Sequence, residues 1–221
     1  MVNIVNKLVE NRVRNIRFFL NYPKITIDSE DEEVQKFLNT VNNIIKNDVK
    51  TFEEVVATTF LDEDVSSGCI NAISEFQKAF NKNNIVSIPI EFSQIVGLTD
   101  ISHISNYNYD FNLKKRIVLD DIFKKDVDFK MIIQNYIMGE VYEILEKYSE
   151  HLTSDIYDLM EESIYICDDP VFYFNEKYLV ICISSFELTS RMCNLIEFPI
   201  CFKNIKNILS DYALENICWG R

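Results

Sequence analysis

Apolar residues recur along this chain at two different spacings, and the switches between them divide it into helices and strands. Residues 2 to 20 place Val2, Val5, Leu8, Val9, Val13, Ile16, Phe19 and Leu20 at helical spacing, with Arg12, Arg14 and Arg17 mostly opposite. That spacing predicts an amphipathic helix over residues 1–20 that covers its own core. Asn21-Tyr22-Pro23 stops it, because proline disfavours helix in the residue before it, and Lys24 to Ile27 reads as a short strand. Ser29 with Glu32 three residues on has the form of a capping box. It opens a second helix carrying Val34, Phe37, Leu38, Val41, Ile44, Ile45, Val49 and Phe52. The acidic residues between Asp28 and Glu33 fall in its first turn, where the helix dipole favours negative charge. Residues 57–71, broken by Ser66-Ser67-Gly68, read as a loop.

The next part of the chain alternates instead. Ile73 to Phe80 and Ile85 to Ile95 flank Asn81-Lys82-Asn83-Asn84, a hairpin signal because asparagine tolerates left-handed turn conformations. Pro89 within the second run predicts an edge position or a bulge. Residues 97–105 make a second turn, after which Tyr107-Asn108-Tyr109-Asp110-Phe111 reads as a strand. Ile117-Val118-Leu119 then runs into Asp120-Asp121-Ile122-Phe123, a helix start with Asp120 as its capping carboxylate. Phe129, Ile132, Ile133, Tyr136, Ile137, Val141, Ile144, Leu145 and Tyr148 mark the clearest helix of the chain, and a shorter one follows over residues 154–162. Asp168-Asp169-Pro170 is a turn; residues 171–175, 178–186 and 196–202 read as strands, and 203–214 as a closing helix. Helices and strands are grouped rather than alternating one by one, which predicts the α+β class with antiparallel sheet.

Composition narrows the function classes. Apolar residues make up 48% of the 221 positions, enough to build a packed core. A net charge of −13 speaks against nucleic acid and anionic lipid as partners, since both call for a basic face, and is compatible with a basic partner. The N-terminal residues break their apolar positions with Asn, Lys, Glu and Arg, so no signal-peptide core is read there. No apolar run reaches the length of a membrane helix. The expectation from the chain as written is a cytoplasmic protein with no membrane insertion. The six cysteines form no C-x-x-C pair, and Cys182 and Cys201 sit in apolar strand-like runs, where thiols behave as small buried hydrophobes.

Catalytic motifs are missing from the sequence. Four glycines, at 68, 97, 139 and 220, build neither a dinucleotide fingerprint nor a P-loop, so no cofactor is expected. G-x-S-x-G and H-E-x-x-H are also absent. His103 and His151 are the only candidate general bases, and they lie far apart in sequence. The adjacent acidic pairs at 120–121, 161–162 and 168–169 point apart on any regular element and form no acid/base couple alone. No metal ligand set is expected.

The stretch YNYDFNLKKRIVLDDIF, Tyr107 to Phe123, resembles the RsiV/PdaC-type extracytoplasmic domain family. In that family a strand ending in Tyr-x-x-Asp is followed by a turn and a Leu-x-Asp-Leu-Phe step; Tyr107, Asp110, Leu119, Asp121, Ile122 and Phe123 match. YPKI at 22–25, VNNIIK at 41–46, NKNNIVSIPIEF at 81–92, the segment 172–188 and IEFPICF at 196–202 are similar to further family elements, in order. The resemblance covers roughly residues 21 to 210. It implies two small α+β subdomains, 21–112 and 113–214, meeting near the Tyr107 strand, with residues 215–221 as a tail. It also implies a non-catalytic binding or sensing module, since family members bind lysozyme, a basic protein, or sit beside cell-wall chemistry without performing it. Two loops depart from the family pattern, at residues 94–98 and 186–194, and loops are where binding resides. The contact residues expected there and nearby are Gln94, Gly97, His103, Glu187, Arg191 and Asn194. Alternative expectations are a scaffold paralogue that oligomerises through the N-terminal helix, and a hydrolase with a carboxylate site assembled from distant segments.

Overall fold

The computed structural model describes residues 1–60, 69–97, 99–147, 170–184 and 195–218. The chain divides into two compact units: Met1–Ile117 with Tyr173–Asn175, and Val118–Phe172 with Glu176–Arg221. Both are built from helices and mainly antiparallel strands, the α+β class.

The first unit opens with β1 (Val2–Val13) and β2 (Ile16–Ile27), an antiparallel hairpin whose register runs from Val2 opposite Ile27 to Val13 opposite Ile16. This corrects the helix expected over residues 1–20. Within that run, Val2, Ile4, Ile16, Phe18 and Leu20 are buried, and they follow a period of two within each strand. The β-branched valines and isoleucines favour the pleated surface. Arg14, at φ 55°, makes the tight turn. A helix would have buried Val5, Leu8, Val9, Val13 and Phe19, all of which are exposed.

Helix α1 (Glu32–Thr59) follows. Asp31 rather than Ser29 is its N-cap: the Asp31 carboxylate accepts from the Glu33 and Val34 amides, while the Ser29 hydroxyl accepts from the Asp31 amide. Leu38, Val41, Ile45, Val49, Phe52 and Val56 form its buried stripe, spaced three and four apart. The helix also locks onto β2 through Asn42, whose amide accepts from Ile25 N and donates to Ile25 O, both at 2.8 Å.

The chain returns in β3 (Ile70–Phe76) and the short β4 (Phe80–Lys82), then β5 (Ile85–Val96), β6 (Thr99–Asp110) and β7 (Lys115–Arg116). The sheet order is β1-β2-β3-β5-β6-β7, with β4 also paired to β5. All pairs are antiparallel except β2 with β3, which run parallel because α1 forms the crossover between them. Asn83 (φ 53°) and Asn84 (φ 58°) form the turn into β5, the primed type whose twist suits a hairpin. The turn expected over residues 97–105 is seen at Gly97 (φ 62°), and β6 already begins at Thr99.

Pro89 lies in an interior strand, not at an edge. Its missing amide hydrogen is accommodated opposite the break between β3, which ends with Phe76 opposite Ile90, and β4, which starts with Phe80 opposite Ser87. Its carbonyl faces the same side and accepts from Gln77 N at 3.0 Å. The core of this unit lies between α1 and one sheet face, where Phe18, Leu20, Ile88, Ile90, Phe92, Tyr107, Tyr109 and Phe111 meet the helix stripe. Phe174, from the strand β8 (Phe172–Phe174), packs against Phe80 on the reverse side of the sheet, their ring centroids 5.3 Å apart.

In the second unit, α2 (Leu119–Ile122) is capped by Asp121, whose carboxylate accepts from Val118 N at 3.1 Å. Asp121 therefore plays the part expected of Asp120. Helix α3 (Phe129–Lys147) buries Phe129, Ile133, Ile137 and Val141, one per turn. Strands β9 (Tyr178–Ser184) and β10 (Leu195–Cys201) pair antiparallel. The closing helix expected over 203–214 is broken into a 3₁₀ turn at Lys206–Ile208, a helical turn at Asp211–Ala213 and a π turn at Leu214–Cys218. Leu209 interrupts it by bridging to Phe123, and Ser210 caps the next turn. The turn expected at residues 168–170 and the helix expected at 154–162 fall wholly or mostly outside the described residues.

Candidate functional site

The tyrosine-rich stretch carries the densest polar chemistry, and its side chains are spent on the fold. The Tyr107 hydroxyl donates to the Asp48 carboxylate of α1 at 2.7 Å. Ser87, fully buried, donates to Asn108 Oδ1 at 2.6 Å and accepts from Phe174 N at 2.9 Å. Asp110 accepts from the amides of Asn112 and Leu113, which turns the chain out of β6. Burial and the Asp48 carboxylate both push the Tyr107 phenol well above its ordinary range. Its proton is therefore held in place rather than available for transfer.

Of the contact residues expected from sequence, three can be placed. Gln94 is half-buried in β5 and lies opposite Ile101. Gly97 is exposed in the turn, and a Cβ there would meet nothing within 4 Å, so only its positive φ asks for glycine. The His103 ring stacks on Phe92, with centroids 5.1 Å apart, and stands edge-on to Phe52 at 6.1 Å. Loss of hydration lowers its pKa. Gln94 and His103 share the sheet face that carries Phe92, the side turned to α1. Glu187, Arg191 and Asn194 lie outside the described residues, as do His151, Cys167, Cys193 and Trp219.

The reverse face of the same sheet holds a shallow groove of about 180 Å³, lined by Ile73 and Glu75 of β3 and by Glu91, Ser93 and Ile95 of β5. Register places Glu75 directly opposite Glu91 and Ile73 opposite Ser93. Both glutamates are exposed, and neither carboxylate forms a hydrogen bond or ion pair with a described residue. Like charges directly opposite on neighbouring strands cost stability, roughly 0.2–1 kcal/mol. The groove can therefore receive a cationic or hydrogen-bond-donating group on its acidic floor, with Ile73 and Ile95 as apolar walls. These two glutamates were not singled out from the sequence. The available signal was an acidic residue at a solvent-facing position in each of two adjacent strands, and only the register brings them together.

Among the described residues, no three His, Cys, Asp or Glu side chains gather as a metal site. No helix among them is long and apolar enough to cross a membrane. Of the described cysteines, Cys69, Cys182, Cys201 and Cys218 are free thiols. Burial raises the Cys182 thiol strongly and pushes Cys218 up to about 12, so both stay protonated and unreactive at neutral pH.

The sequence matches no protein-family profile, and no curated protein is significantly similar to it. Solved structures similar in fold include two DUF3298 family proteins. A member of the DUF3298 family from Bacteroides fragilis superposes with a TM-score of 0.60 at 12% identity, over 97% of this chain and 95% of that one. A DUF3298 family protein from Pseudomonas aeruginosa superposes with a TM-score of 0.58 at 10% identity, over 100% of this chain and 97% of that one. At such identities the likeness is one of fold, and it extends over essentially the whole of both chains.

Proposed function

We propose that this chain is a non-catalytic binding module for a basic protein, with the Glu75–Glu91 groove receiving cationic side chains of the ligand. The observation that carries the reading is the pairing of two exposed carboxylates directly opposite each other on neighbouring strands, neither ion-paired to a described residue. That arrangement works against folding, and a bound cation turns the repulsion into two attractions. The net charge of −13 adds long-range steering of a basic partner. The resemblance to the RsiV/PdaC-type family, whose members bind lysozyme, supplies the first probe.

Calorimetric titration of the full chain with lysozyme, and with a neutral protein of similar size, tests the reading. Binding to lysozyme at low salt is expected, weakening as salt screens the charges and lost in the Glu75→Gln/Glu91→Gln double variant. Absence of low-salt binding to lysozyme and to oligolysine overturns it, as does undiminished binding by a folded double variant.

A further inference from the structure

We propose that two copies of this chain associate face to face through the exposed part of the reverse face of the first unit's sheet, and that this association competes with the groove's ligand; the competition rests on the binding function proposed above. The register lays out three successive rows on that side. Arg12 of β1 lies opposite Arg17 of β2. Two residues further along β2 comes Phe19, paired with Ile73 of β3. Two residues further along β3 comes Glu75, paired with Glu91 of β5. The arginines and glutamates are all exposed, Phe19 is 39% exposed, and Ile73 is half-buried. The apolar pair thus sits midway between a doubly positive and a doubly negative patch.

A surface ordered in this way is complementary to itself. A two-fold axis lying in the interface and passing by the Phe19–Ile73 pair sets each copy's arginines over the other's glutamates and packs the apolar pair on its own image, an isologous contact. The Nε of Arg12 is already bonded to the Arg14 carbonyl, but guanidinium keeps further N–H donors. Charge also picks out a second copy. Residues 1–24 hold Lys7, Arg12, Arg14, Arg17 and Lys24 against the single acid Glu10, in a chain whose net charge is −13. A uniformly acidic partner is repelled by Glu75 and Glu91, and a uniformly basic one gains those glutamates but is opposed by Arg12 and Arg17. The same face of another copy matches both. Three rows across four strands make a patch only about 15 Å on a side, so the association is weak and salt-sensitive.

Sedimentation equilibrium over a range of concentrations, at low and high salt, tests the proposal on the full chain. Wild type is expected to gain mass with concentration at low salt and to remain monomeric at high salt. Arg12→Glu/Arg17→Glu and Glu75→Lys/Glu91→Lys are each expected to be monomeric. Their equimolar mixture is expected to associate again, because the two reversed pairs meet each other with opposite charge and the two native pairs do the same. A wild type that stays monomeric at low salt overturns the proposal, as does a mixture that stays monomeric while both variants show native circular dichroism. Lysozyme titration separates the two readings, since Arg12→Glu/Arg17→Glu retains the glutamates and is expected to bind more tightly than wild type. If the mixture associates and no variant binds lysozyme, the binding function and the competition fail and the self-association stands. If lysozyme binds and wild type is monomeric, only the self-association and its competition fail.

Discussion

The hydroxyl of Tyr107 in β6 donates to a carboxylate oxygen of Asp48 in α1 at 2.7 Å, joining residues 59 apart in sequence. Tyr107 is 2% exposed, so the bond lies at the boundary between the helix and the sheet core. Replacing Tyr107 by phenylalanine keeps the ring and removes the donor. A cost of about 1.5–3 kcal/mol is expected, the range for a bond to a charged group. It is read as a lower urea midpoint with an unchanged slope.

The same residue sets an alkaline limit. Burial first, then the hydrogen bond to Asp48 and its charge, raises the Tyr107 pKa, and burial raises that of Tyr109. In the unfolded chain both phenols titrate near about 10. Above that pH the unfolded state has released protons that the native state still holds, so its free energy falls relative to the native state. Stability is therefore complete below about pH 10 and declines as pH rises towards the native pKa values. Urea midpoints measured from pH 8 to 11 should fall more steeply in wild type than in Tyr107→Phe. Parallel slopes would reject this account.

Ser87 joins two segments of the first unit through a single hydroxyl, as donor to Asn108 and acceptor from Phe174 N. Ser87→Ala strips the Phe174 amide of its acceptor inside the protein. A loss of about 1–3 kcal/mol in thermal stability is expected, together with faster hydrogen exchange at the Phe174 amide. Exchange that is unchanged while stability drops would assign the loss to packing instead.

Glu91 offers the opposite sign. Glu91→Gln relieves the repulsion across the groove, so folding stability should rise by about 0.2–1 kcal/mol, with the gain shrinking in high salt. The same substitution should weaken binding of a basic ligand. A variant that is less stable than wild type would show that the carboxylate is used by the fold.

Several elements were legible because their signals are local. The stripe from Leu38 to Phe52 and the one from Phe129 to Val141 need only helical spacing to be read. The turn at Asn83–Asn84 needs only residues that accept positive φ. Where two local readings compete, the chain alone does not choose between them. Residues 2–20 fit a helical template and an alternating one, and pairing with β3, far along the chain, selects the strands that bury Ile16, Phe18 and Leu20. Ser29 and Asp31 are both competent caps, as are Asp120 and Asp121; the hydrogen bonds observed belong to Asp31 and Asp121. Gln94 and His103, expected in loops, lie instead in strands that run through residue 96 and from residue 99, on the sheet side that carries Phe92.

What the sequence determined by itself was composition-level and local: the α+β class, two long helices, an asparagine turn, and an acidic surface that disfavours phosphate-bearing partners. Tertiary structure alone decided which strands lie side by side. Register converts residues that are distant in the chain into neighbours a strand spacing apart. Glu75 faces Glu91, Arg12 faces Arg17, and Phe19 meets Ile73 for that reason only. The groove and the self-complementary face are properties of that register, which no single segment encodes.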